Sequence, residues 1–150
     1  MIAGLLIQVA LFSPAVEERI GDAGPFVYVL STGAVLAAVI RNARIAGFPL
    51  VALGAASNAA AILANGGYMP ASAGALASLG KVAPSVYSNS SVVAQPVLQP
   101  LTDIFALPAG LPFANVFSVG DVVIALGVAT VLAAAMRSSR PSEAEPQPAH

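Results

Sequence analysis

Three polar side chains stand out in an otherwise apolar chain: Asn58, Asn65 and Asp121. Asn58 and Asn65 are seven residues apart, two turns of an α-helix, so a helix there carries both on one face, with Gly54 and Ala61 on the same stripe. Amides donate and accept hydrogen bonds, and a carboxylate adds charge. The chemistry on offer is therefore binding of a small polar solute or lipid headgroup by Asn58, Asn65 and Asp121, or proton or cation handling at Asp121, because polar groups inside membranes face a bundle interior or a cavity. Each position also has a plainer use. Polar residues set among small ones let membrane helices approach closely and hydrogen-bond to one another. Ser118-Val119-Gly120-Asp121 has the Ser-x-x-acid spacing of a capping box, with Ser118 as N-cap and Asp121 at N3, where a carboxylate suits the positive end of the helix dipole. Both uses stay open on sequence alone.

No catalytic residue, metal-ligand set or cofactor motif is expected, and the chain is not read as an enzyme. There are no cysteines, which excludes disulfides and thiolate sites, and the only histidine, His150, closes a polar tail. Gly66-Gly67 permits a sharp exit from a helix and Pro70 prevents its continuation. As a phosphate loop the segment is poor, because no lysine follows it. Asp103, an acid in the apolar stretch Leu101-Thr102-Asp103-Ile104-Phe105, is expected either to cap or to pair with Lys81 or Arg19.

These residues must be positioned by membrane helices. Of the 150 residues 57% are hydrophobic and 9% charged, against about 25% charged in ordinary soluble domains, and the mean hydropathy is +0.84. Such a chain cannot cover its surface with polar groups, and a lipid-facing exterior resolves this. A net charge of −1 with six basic residues argues against nucleic acid as a partner. A bilayer core needs roughly 20 apolar helical residues. Segments 24–40, 46–66 and 120–136 meet that requirement; segment 1–13, closed by Ser13-Pro14, makes a short or truncated first helix.

The fold class expected is thus all-α: a polytopic transmembrane bundle of three full spans plus that first helix, forming one membrane-embedded domain over 1–136. An irregular, proline-rich outer loop at 67–119 holds a short helix from Ser72 to Leu79 closed by Gly80 at C′. Residues 137–150 have the composition of a disordered tail. Arg41, Arg44, Arg137 and Arg140 place their ends in the cytoplasm by the positive-inside rule, with both termini inside and the loop outside. The expected location is the bacterial cytoplasmic membrane, with lipid as the immediate partner and other membrane proteins or further copies of the chain as additional ones.

Three stretches carry a resemblance. They are Arg41-Asn42 with Gly47, Pro49-Leu50 and Leu53-Gly54; Asn58 through Ile62-Leu63-Ala64-Asn65-Gly66-Gly67 and Met69-Pro70; and Phe117-Ser118-Val119-Gly120-Asp121-Val122. In order and spacing, over roughly residues 25 to 136, they resemble domain-of-unknown-function family 5317, small multi-pass bacterial membrane proteins. The resemblance implies no activity. It marks Gly66, Gly67, Met69, Pro70, Ser118 and Asp121 as the structural motif. It also implies a further apolar segment ahead of the point where this chain starts. The function expected is that of a structural or accessory membrane component, with a carrier or binding protein using Asn58, Asn65 and Asp121 as the alternative.

Overall fold

The computed structural model describes residues 23–80, 90–91, 93, 95–112 and 114–138. The first apolar segment at 1–13, the tail beyond residue 138, and Arg19 and Lys81, the expected partners of Asp103, lie outside the described residues. The described part is mostly helical. Its α-helices are α1 (Gly24–Arg41), α2 (Phe48–Ala64), α3 (Ala73–Ser78) and α4 (Val119–Ser138).

Local sequence sets each boundary. Pro25 stands in the first turn of α1, where its missing N–H costs nothing. Asn42 closes that helix, its side-chain amide donating to the Ala38 carbonyl at 2.7 Å. Helix α2 is shorter than the 46–66 expected. Gly47 adopts a left-handed conformation (φ 91°) at its N-cap, and the chain leaves the helix at Asn65. The exit is a Schellman turn: Gly67 N–H donates to Ile62 O at 2.9 Å and Gly66 N–H to Leu63 O at 3.4 Å. Both glycines have positive φ, which a side chain would oppose. Helix α3 has Ser72 as N-cap and Gly80 at positive φ beyond Leu79, as the loop sequence predicts.

Two helices, α1 and α4, are long and apolar enough to cross a membrane, and both are mostly uncovered by the rest of the protein. A core helix of a soluble protein would be mostly covered. Here Phe26, Leu30, Leu126, Leu132 and Met136 all stand exposed. Helix α2 is equally apolar but has 17 residues. It packs against both α1 and α4.

The described residues of 67–119 include short paired strands. Strand β1 (Met69–Pro70) pairs in parallel with β2 (Ser90–Ser91). Beside it Asp103 N–H donates to Pro70 O and Ser72 N–H to Asp103 O, each at 2.9 Å. Strands β3 (Phe105–Ala106) and β4 (Val116–Phe117) form an antiparallel pair in which the rings of Phe105 and Phe117 stack with centroids 5.4 Å apart. Ala71, Ala75, Leu76 and Val116 form a small core beneath α3. A second core, of Ala61, Ile62 and Met69 with Tyr28, Val29 and Leu101 against it, ties this cap to α1 and α2. The cap sits at the end of the bundle where α2 ends and α4 begins; Arg41, Arg44 and Arg137 mark the opposite end.

Candidate functional site

The site begins with four glycines. Gly47 at the N-cap of α2 and Gly54 within it, seven residues apart, face Gly127 and Gly120 on α4, also seven apart, in antiparallel register. A Cβ on Gly47 would lie 2.4 Å from the Gly127 carbonyl oxygen. This backbone-to-backbone approach is how membrane helices gain dispersion contact without a hydrophobic drive between them. Gly120 has a second use. Any side chain there would occupy the space of the Asn58 amide.

With the helices this close, Asn58 reaches the start of α4. Its Nδ2 donates to Asp121 Oδ1 at 2.8 Å. Ser118 and Asp121 form the capping box: Asp121 N–H donates to Ser118 Oγ at 3.1 Å and Ser118 N–H to Asp121 Oδ2 at 2.9 Å. The Ser118 hydroxyl, fully buried, faces two acceptors, Asn58 Oδ1 at 2.8 Å and Asp121 Oδ2 at 2.9 Å. One amide, one hydroxyl and one carboxylate therefore close a ring that links the middle of α2 to the first turn of α4.

Asn65 does not join this ring. Its Nδ2 donates to Ala61 O at 2.7 Å and to Val97 O at 2.9 Å, while its Oδ1 accepts from Val97 N–H at 2.9 Å. The side chain thus pairs with a backbone segment as a neighbouring strand would, fastening the cap to the end of α2. The other motif residues lie around it. Gly67 backs onto Pro25, where a Cβ would meet the proline Cβ at 2.6 Å, while Gly66 faces open space. Met69 and Pro70 are buried.

Beside the ring lies a cavity of about 280 Å³. Asn58 and Asp121 line it with Tyr28, Asp103 and Asn115, and Ile62, Met69, Val116 and Phe117 complete its walls. Asn65 is not among its lining residues. An apolar cleft of about 360 Å³ adjoins it along α4, lined by Leu107, Val122 and Ala125, and shares Asn115, Val116, Phe117 and Asp121 with it. Sequence reasoning did not single out Tyr28 or Asn115. Asn115 carries a weak signal, a polar residue three positions ahead of an N-cap serine; Tyr28 carries none, because an aromatic residue in an apolar helix reads as lipid-facing. Among the described residues no group of three or more His, Cys, Asp or Glu could hold a metal ion.

A profile described as a family of unknown function, DUF5317, matches residues 1–133, and the chain belongs to that family. No curated protein and no solved structure matches it.

Proposed function

We propose that this family member is a multi-pass integral protein of the bacterial cytoplasmic membrane, acting as a structural or accessory component that holds a folded cap on the outer face. In this reading α1, α2 and α4 all span. Helix α2, at 17 residues and 1.5 Å per residue, is about 26 Å long, at the lower limit for a hydrocarbon core of about 30 Å. Arg41, Arg44 and Arg137 lie on the cytoplasmic side and the cap outside.

The observation that carries the structural role is the use made of the polar groups. Asn58 bonds to Asp121 and Ser118, and Asn65 bonds to Val97. Each asparagine holds one element against another. Integral insertion is tested by alkaline carbonate washing of membranes carrying the full chain. Retention in the pellet is expected, and release into the supernatant would contradict the reading.

A second reading, a binding protein for a small polar solute or lipid headgroup, is supported by the cavity on which Asn58 and Asp121 converge. Asn65 has no part in it.

A further inference from the structure

The geometry points to a lipid site: the polar cavity and the apolar cleft together take one membrane lipid, its amine-bearing headgroup against Asp121 and an acyl chain along α4. This rests on the binding reading above and names its ligand. Both cavities are lined by Asp121, Asn115, Val116 and Phe117, so a polar chamber and an apolar trough share one wall. An amphiphile matches that division; a water-soluble solute would leave the trough unused.

Charge selects the headgroup. Among the described residues the Asp121 carboxylate is bonded to neutral groups, the Asn58 amide and the Ser118 N–H and hydroxyl. No lysine or arginine is among the described residues lining either cavity. A carboxylate offers about four acceptor positions, and among the described residues Oδ1 receives Asn58 alone, so an ammonium group has a place to bond. Among the described residues lining the chamber the charged groups are the carboxylates Asp103 and Asp121, so a headgroup anchored by its phosphate would meet like charge from them. Size agrees. The chamber of about 280 Å³ has room for an ethanolamine-sized head. The trough opens on the exposed face of α4 at Val122, where Leu126 also stands exposed.

The test is to purify the full chain from vesicles of equal parts phosphatidylethanolamine, phosphatidylcholine and phosphatidylglycerol and to quantify retained lipid by mass spectrometry. Phosphatidylethanolamine is expected to be enriched about tenfold over phosphatidylglycerol, which corresponds to ~1.4 kcal/mol. Asp121→Asn should abolish the enrichment. Because that change touches the capping box, Val122→Trp provides an independent arm: it fills the trough from an exposed position, leaves the ring intact, and should also abolish enrichment. Equal or preferential retention of phosphatidylglycerol overturns the amine assignment while binding itself stands. Free ethanolamine displacing the lipid as effectively as phosphatidylethanolamine does overturns the role of the tail. If no lipid is retained and ethanolamine gives no thermal protection, the binding reading falls with the inference.

Discussion

Asn58 and Asp121, 63 residues apart in the chain, are joined by a 2.8 Å hydrogen bond from the amide nitrogen to the carboxylate. The contact exists because Gly54 and Gly120 let α2 and α4 approach until a residue in the middle of one helix touches the first turn of the other. In membrane proteins such bonds average about 0.6 kcal/mol and reach about 1.7, while bonds to charged groups in water-soluble proteins contribute about 1.5–3. A double-mutant cycle with Asn58→Ala and Asp121→Ala, followed by unfolding in detergent, should give a coupling of about 1 kcal/mol. Additive effects would mean that the two side chains do not act together.

The glycine register makes a contrasting pair of predictions. Gly54→Ala places a methyl group 2.4 Å from the Gly120 carbonyl oxygen and 2.8 Å from the Ile124 side chain. Separating the helices to relieve this should cost about 1–3 kcal/mol and weaken the Asn58 bond with it. Gly33→Ala on α1 meets nothing within 4 Å and should be neutral or stabilising by about 0.5–1 kcal/mol through helix propensity. Melting temperatures of the two variants in the same detergent decide this; an equal loss in both would remove the special role of the α2–α4 contact.

Asn65 governs the cap rather than the bundle. Asn65→Ala deletes both bonds to Val97 and the bond to Ala61. Limited proteolysis near residues 95–98 should accelerate several-fold, with the melting temperature of the helices changing less than for Gly54→Ala. Unchanged cleavage would show that the second core, around Ile62 and Met69, holds the cap without the asparagine.

What the sequence discloses here is local. The Ser-x-x-acid spacing at Ser118 and Asp121, the exit at Asn65-Gly66-Gly67 and the Ser72 cap each encode a helix end in a few adjacent residues, and each is found in place. The stripe of Gly54, Asn58 and Ala61 marks a packed face, but its partner is legible only by noticing that Gly47–Gly54 and Gly120–Gly127 repeat the same seven-residue spacing. The partner of Asn65 is backbone, so no residue type at position 97 announces it. Strands β3 and β4 are two residues each, too short to show alternation, and Pro108, Gly110 and Pro112 between them read as loop. The cavity follows from these long-range placements, although four of its lining residues, Asn58, Met69, Asp103 and Asp121, stand out in the sequence.

The most direct test of the membrane arrangement is sidedness. The chain has no native cysteine, so Gln95→Cys in the cap and Ala43→Cys in the α1–α2 turn, both at exposed positions, can be labelled singly with a membrane-impermeant maleimide. The account predicts labelling of Gln95→Cys in intact spheroplasts and of Ala43→Cys only after lysis. The reverse pattern would invert the orientation, and labelling of both from one side would contradict α2 as a membrane span.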